Sequence, residues 1–206
     1  MLRGGRLQWL PELELGYYEV EAGSPYNQTY FDKYRAMAGT AMGVAITAAR
    51  AALVRRWWQG AFVDVGIGCG QFVESTGCLG YDVNPAGVAW LRQRGAYLDP
   101  YEGCDAVTCW DSLEHMRDPG ALLANVRRWV FVSLPIFRDA EHAAGSRHFR
   151  RDEHYWYFTA RGLERFMSQR GFVLRENDNI ETLLGREDIG SFAFERAVTT
   201  TNRSAA

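Results

Sequence analysis

One stretch, Ala61 to Gly70 (AFVDVGIGCG), constrains the fold of this chain more than any other. It begins with a short, almost unbroken apolar run, Ala61, Phe62, Val63, Asp64 and Val65. Such a run reads as a strand buried on both faces, as in a parallel sheet. Glycine then falls at alternate positions, Gly66, Gly68 and Gly70. Glycine lets the backbone turn sharply and lets a ligand approach where a Cβ would clash. A short helix follows (Gln71 to Thr76, two turns at most), then a second strand, Cys78 to Asp82, that ends in an acid. Strand, glycine loop, helix and acid-tipped strand make a nucleoside-binding unit, with the loop at a helix N-terminus and Asp82 able to hold a ribose hydroxyl.

Two cofactor classes use this layout, and glycine spacing separates them. Dinucleotide binders want G-x-G-x-x-G, but here the third glycine position holds Gln71. The D-x-G-x-G-x-G pattern from Asp64 to Gly70 resembles motif I of class I S-adenosylmethionine-dependent methyltransferases. Tyr81 to Asn84 (YDVN) is similar to that family's motif II. Trp110 to His115 (WDSLEH), followed by Asp118-Pro119, resembles the motif after strand four in the ubiquinone- and menaquinone-pathway branch of small-molecule enzymes.

The resemblance implies a Rossmann-like, doubly wound α/β fold. Its seven-stranded sheet would be mostly parallel, with helices on both faces and an antiparallel last strand. It implies S-adenosylmethionine as cofactor and S-adenosylhomocysteine as product. It puts Asp64, Gly66, Ile67, Gly68 and Gly70 around the cofactor, Asp82 on the ribose diol with Val83 and Asn84 beside it, and Trp110, Asp111 and Ser112 at the next strand end. Asp99 is a candidate for the adenine amine, or equally a turn residue before Pro100.

Along the chain, residues 1 to about 38 are aromatic-rich and irregular. Tyr17, Tyr18, Tyr26, Tyr30, Phe31 and Tyr34 cluster there. They either pack this arm onto the domain or form a lid over the cofactor, with Tyr30 and Tyr34 one helical turn apart. Thr40 caps a helix that runs to about Trp58. Asn84 caps the next, and Pro85 takes its first position. Later strands are expected at Ala96–Leu98, Asp105–Trp110, Trp129–Leu134, Phe172–Leu174 and Ser191–Glu195. Between these lie a helix started by Asp118-Pro119, with Leu122, Leu123 and Val126 as its core face, and another capped by Thr159. Pro135 to Phe158 is a long segment without periodicity, too aromatic to be disordered. The expected division is 1–58 as lid segment, 59–196 as core and 197–206 as a flexible tail.

The 206 residues suit one well-cored domain, and 47% hydrophobic with 23% charged residues is globular composition. Net charge −2 argues against a global pull toward nucleic acid or membrane. No apolar run approaches the roughly 20 residues that span a bilayer. Four cysteines without C-x-x-C spacing read as reduced core thiols, which points to the cytoplasm. Nothing in the chain bears on oligomeric state.

Methyl transfer from an activated sulfonium needs the acceptor positioned beside the methyl, and for a hydroxyl or amine a proton acceptor as well. His115 is the first candidate base, with Asp111 and Glu114 beside it and His154 and Tyr155 next. All four histidines (115, 142, 148 and 154) fall on the expected carboxyl edge, but their six-residue spacing in the loop matches no helical or zinc-type ligand pair. Some quinone-pathway relatives use a divalent ion, and the resemblance would place one on Asp111, Glu114 or His115. Chain spacing alone is weak support, and no metal is assigned. The D/N-P-P-Y motif of amino-methylating DNA enzymes is absent, and no cysteine follows a proline. A small-molecule acceptor is therefore expected over nucleic acid. An NAD(P)-dependent oxidoreductase and a non-catalytic S-adenosylmethionine-fold binding protein are the alternatives.

Overall fold

The computed structural model of the chain describes residues 6–20 and 26–197. The tail expected over 197–206 lies outside the described residues except for Ala197. Its elements are β1 (Gln8–Leu10), β2 (Leu15–Tyr17), α1 (Gln28–Ala38), α2 (Ala41–Trp57), β3 (Val63–Val65), α3 (Gln71–Thr76), β4 (Leu79–Tyr81), α4 (Pro85–Gln93), β5 (Cys104–Trp110), α5 (Pro119–Leu123), β6 (Val126–Pro135), α6 (Ala140–Gly145), β7 (Trp156–Phe158), α7 (Ala160–Ser168), β8 (Phe172–Asp178), α8 (Ile180–Leu183) and β9 (Ile189–Arg196). Among the described residues no single helix is long and apolar enough to cross a membrane.

The main sheet has the order β4-β3-β5-β6-β9-β8. β4, β3, β5 and β6 are parallel, and β9 runs antiparallel to both of its neighbours. The seventh strand expected at Ala96–Leu98 shrinks to a single parallel bridge, Gly80 to Tyr97, on the outer edge of β4. Its cause is the next dipeptide: Asp99 caps a 3-10 turn, Pro100–Glu102, that carries the chain away from the edge. β6 begins at Val126 instead of Trp129, so Val126 leaves α5 and joins the sheet. β8 runs on to Asp178, beyond the expected Leu174.

Strand alternation sets the two faces. From β5, Val107 and Cys109 point to one apolar cluster, which Leu122 and Leu123 of α5 and Leu163, Phe166 and Met167 of α7 cover. Ala106 and Trp110 point to the other, covered by Leu53 and Val54 of α2, Phe72 and Val73 of α3 and Trp90 and Leu91 of α4. Helices therefore lie on both faces of the sheet. Helix starts follow the capping residues: Asn27, Thr40, Asn84, Asp118 and Thr159 each accept a backbone N–H of the first turn.

A second sheet was not legible in the sequence. β1, β2 and β7 pair antiparallel, which ties the N-terminal arm to the end of the long aromatic segment. That segment also contains α6, capped by Asp139. The arm is locked further where the Thr159 N–H donates to the Glu14 carbonyl. A Cβ on Gly162 of α7 would lie 2.0 Å from that same carbonyl oxygen. Because the clash is with backbone, Gly162→Ala is expected to destabilise by about 1–3 kcal/mol, as overpacking does. Chemical denaturation of the two proteins checks this, and an unchanged midpoint would show that the contact gives way freely.

Candidate active site

The carboxyl ends of β3, β4 and β5 converge at one edge. Three glycines form the loop after β3, all with positive φ: Gly66 at 80°, Gly68 at 57° and Gly70 at 81°. Two of them are closed in by protein. A Cβ on Gly66 would meet the Ser112 Cβ at 2.7 Å, and one on Gly70 would meet the Trp90 ring at 2.5 Å. Gly68 differs: its nearest neighbour in that direction is Tyr34 Cδ1, at 3.9 Å. The loop is thus packed at both ends and open at its middle residue. Ser112 also donates through Oγ to the Val65 carbonyl at 2.6 Å, pinning the end of β5 to the start of the loop.

Asp82 at the tip of β4 is nearly buried. Burial pushes its carboxyl up, while the backbone N–H groups of Asn84, Val83, Ile67 and Gly68 pull the other way. Its carboxylate is therefore held against the glycine loop. Val83 beside it leaves an apolar side chain 66% exposed. Asp99 caps the 3-10 turn by accepting the Tyr101 N–H at 2.9 Å. The Trp110 indole points away from this edge, into the core against Phe72.

Helix α1 lies over the loop. Phe31 packs on Trp90, and the Asn84 side-chain amide donates to the Asn27 carbonyl at 3.1 Å. Tyr26 meets Tyr30 edge-to-face and Tyr30 lies tilted against Tyr34, with centroids 5.0 and 4.7 Å apart. The Tyr30 hydroxyl donates to that of Tyr34 at 3.2 Å. Burial raises the Tyr26 and Tyr30 hydroxyls above the usual phenol range, so both stay protonated. The charges of Asp82 on one side and of Glu114 and Glu153 on the other also act on Tyr26. This tyrosine, which the sequence reading left out of the candidate site, bridges the two halves of the edge.

Its second half is a cluster of three side chains. Donor atoms of Glu114, His115 and His154 all lie within 4.8 Å of one another. His115 Nε2 is 3.8 Å from Glu114 Oε1, and its Nδ1 is 3.0 Å from the Tyr26 hydroxyl. The His115 and His154 rings meet edge-to-face at 4.5 Å. Glu114 and His154 are buried, yet neither Glu114 oxygen nor His154 Nδ1 has a hydrogen-bond partner. Burial drives the Glu114 carboxyl well above its usual range and lowers His115 to about 4 and His154 to about 2. Both imidazoles are therefore neutral near pH 7. One backbone and one side-chain hydrogen bond do the assembling: the Tyr155 N–H donates to the Glu114 carbonyl at 2.8 Å, and the Trp156 indole donates to the Met116 carbonyl at 2.9 Å. The Tyr155 ring stacks on Tyr17 in the small sheet. His142 and His148 are elsewhere, against Asp188 and the Glu187 carbonyl.

Asp111 has a different setting. Its backbone is left-handed (φ 53°), and its carboxylate accepts from Arg50 at 2.8 Å and from Arg186 at 2.8 and 2.9 Å. Burial opposes ionisation, but the two guanidinium groups outweigh it and hold the Asp111 carboxyl below the usual range. Glu181, fully buried, binds both arginines from below. Arg50 further donates to Ser133 Oγ at 3.0 Å. The sequence carried no signal for this network, whose members come from α2, the end of β5, β6 and the α8 region.

Asp64 faces the α2 side of the sheet, where Thr108 on the adjacent strand donates to it at 2.7 Å. Burial pushes its carboxyl up to about 7, against the Thr108 hydrogen bond and the charge of Arg50. Below about pH 4 native and unfolded chains both hold this proton; above about pH 7 neither does. Between them only the native state holds it, so Asp64 subtracts from stability as pH rises through that window. Asp64→Asn is expected to gain on the wild type between pH 4.5 and 7.5, as read by denaturation at each pH. A stability difference that stays constant across the window would contradict this.

This arrangement has known counterparts. A family model described as a methyltransferase domain matches residues 47–177. No curated protein matches the chain. Solved structures are similar at the level of the fold. Magnesium protoporphyrin IX methyltransferase from Synechocystis PCC 6803, with bound SAH, is 15% identical with a TM-score of 0.57, over 84% of this chain and 96% of that one. A possible histamine N-methyltransferase from Thermotoga maritima is 13% identical with a TM-score of 0.58, over 82% and 97%. The Burkholderia thailandensis 1,6-didemethyltoxoflavin-N1-methyltransferase is 16% identical with a TM-score of 0.54, over 89% and 95%. With the glycine loop, the acid-tipped second strand and the family match in agreement, the nicotinamide-dependent alternative falls, and the chain belongs to the methyltransferase-domain family.

Proposed function

We propose that this methyltransferase takes its methyl group from S-adenosylmethionine and passes it to a small molecule held beside Tyr26 and the Glu114–His115–His154 cluster. One observation carries the cofactor side: a glycine loop open only at Gly68, with the Asp82 carboxylate set against its amides. Asp82 would hold the ribose diol, the amides around Gly68 would face the amino-acid part, and the exposed Val83 would flank the base. When bound, the cofactor supplies an already activated methyl group.

The remaining work falls to this chain's own side chains. Tyr26, Tyr30 and Tyr34 cover the edge and exclude water from it. Neutral His115, oriented by the Tyr26 hydroxyl, is placed to accept a proton from the acceptor. Asp111 is engaged by two arginines and is assigned to positioning instead of proton transfer. The acceptor space is bounded by the arm and by the segment before β7. Neighbours named for magnesium protoporphyrin IX and 1,6-didemethyltoxoflavin act on small molecules, which supports the same class here.

Incubation with cofactor carrying a labelled methyl group, in the presence of a cell metabolite extract or of bulk RNA, tests the acceptor class. Label is expected in the small-molecule fraction. Label confined to RNA would overturn the small-molecule assignment.

A further inference from the structure

We propose that Glu114, His115 and His154 together bind the ammonium group of a primary amine, which makes a primary amine the methyl acceptor. One nitrogen or oxygen from each of the three lies within 4.8 Å of the other two. An ammonium directs three N–H donors from a single tetrahedral nitrogen. At a hydrogen-bond length of about 2.9 Å, the atoms that receive them lie about 4.7 Å apart. The trio therefore takes that group with little movement, and Glu114 Oε1 and His115 Nε2, 3.8 Å apart, are the pair that opens. This inference rests on the proposed function for the placing of the acceptor at this cluster.

The second observation is the missing partners. Glu114 and His154 are 1% and 5% exposed, yet both Glu114 oxygens and His154 Nδ1 lack a hydrogen bond. Buried polar atoms are nearly always satisfied. An ionised Glu114 and a His154 with its proton on Nε2 offer only acceptors here, so the fitting occupant brings several donors. A hydroxyl brings one and a carboxylate none. Burial raises the Glu114 carboxyl, and a cation seated against it favours the ionised form. The surrounding charges favour a cation as well. Arg50 and Arg186, which act on Glu114, are engaged by Asp111 and Glu181. Arg150, which acts on both imidazoles, has Glu153 at 3.6 Å. Asp82, acting on Tyr26, and Asp152, acting on His115, are then in excess.

His115 keeps the part already given to it. With Nδ1–H donated to the Tyr26 hydroxyl, 3.0 Å away, its Nε2 carries the lone pair that accepts a proton. Its side chain is 14% exposed against 2% for Glu114, which marks the open side of the cluster, so the carbon substituent of the amine points out past His115. One ammonium proton passes to His115 Nε2, and the nitrogen lone pair left behind forms the bond to the methyl carbon. The carbon–sulfur bond breaks with its electron pair on sulfur, giving an N-methylammonium product and S-adenosylhomocysteine. The Glu114 carboxylate, 3.8 Å from Nε2, then faces the imidazolium that has formed.

The test titrates folded protein, in the presence of S-adenosylhomocysteine, with methylammonium and follows the ring signals of the four histidines by NMR. Tetramethylammonium, with the same charge and no N–H, is the control. Saturable shifts of two histidine signals are expected, one of them missing in His154→Ala. The expected Kd is on the order of ten millimolar, about the best that a ligand of two heavy atoms reaches. Tetramethylammonium should leave those signals in place. Glu114→Gln and His154→Ala should weaken methylammonium about tenfold or more while S-adenosylhomocysteine still binds, and thermal melts guard against misfolding. Transfer of labelled methyl to a metabolite extract should disappear once the extract has been treated with an amine-selective acetylating ester. If the folded wild type binds S-adenosylhomocysteine but not methylammonium, the amine site is overturned and the cofactor reading stands. Equal shifts from tetramethylammonium, binding retained in both variants, or label that survives acetylation of the extract would equally overturn it. Methylammonium bound as expected, by a protein that ignores S-adenosylhomocysteine, would leave the amine site standing and sink the cofactor reading.

Discussion

Arg50→Met is expected to lower stability by about 3–5 kcal/mol, the range for removing one partner of a buried ion pair. The substitution leaves fully buried Glu181 with Arg186 as its remaining cationic partner, and removes one of the two guanidinium groups from Asp111. It also strips the donor from Ser133 and the cation from the Trp110 ring face, 5.2 Å away. Equilibrium denaturation gives the number. The double variant Arg50→Met with Glu181→Leu is expected to recover part of the loss, because well-packed apolar replacements of buried ion pairs are often neutral. A single variant within about 0.5 kcal/mol of wild type would show that the network does not hold the end of β5 in place.

A second large effect is expected on ligand binding. Asp82→Ala should weaken S-adenosylhomocysteine about a hundredfold, roughly 3 kcal/mol, the worth of one or two hydrogen bonds to a charged group. The physical reason lies in the free protein. The carboxylate is already fixed by amides of the glycine loop and of its own turn, so little ordering remains on binding. Calorimetry on folded variant protein reads the change directly, and affinity within about threefold of wild type would remove Asp82 from the cofactor site.

These expectations separate what the chain states locally from what only tertiary structure states. The Ala61–Gly70 loop was legible because an apolar strand, alternating glycines and a following acid are local signals, and the glycine spacing separates the two cofactor classes that share them. Asn84, Pro85 and Thr159 were legible as helix starts for the same reason. The edge strand at Ala96–Leu98 was overread, since proximity to Pro100 decides how far it can pair.

The Glu114–His115–His154 cluster was only half legible. Glu114 and His115 sit in a recognisable motif, but His154 arrives from 39 positions away. Backbone pairing of Tyr155 with Glu114 and Tyr18 delivers it, and three-residue strands such as β2 and β7 leave no periodic trace. Likewise Arg50 meets Glu181 across 131 positions, a pairing no window of sequence can show. Tyr26 was noted among the arm aromatics, yet only α1 folding over the loop places its hydroxyl on His115.

The central claim is that the loop from Gly66 to Gly70 and the Asp82 carboxylate together hold a sulfonium nucleoside. Its most direct test is calorimetric titration of folded, ligand-free protein with S-adenosylmethionine, S-adenosylhomocysteine and NAD in parallel. Binding of the first two at about micromolar Kd, with no heat from NAD, is the predicted result. Binding of NAD alone, or silence from both S-adenosyl ligands, would contradict the account.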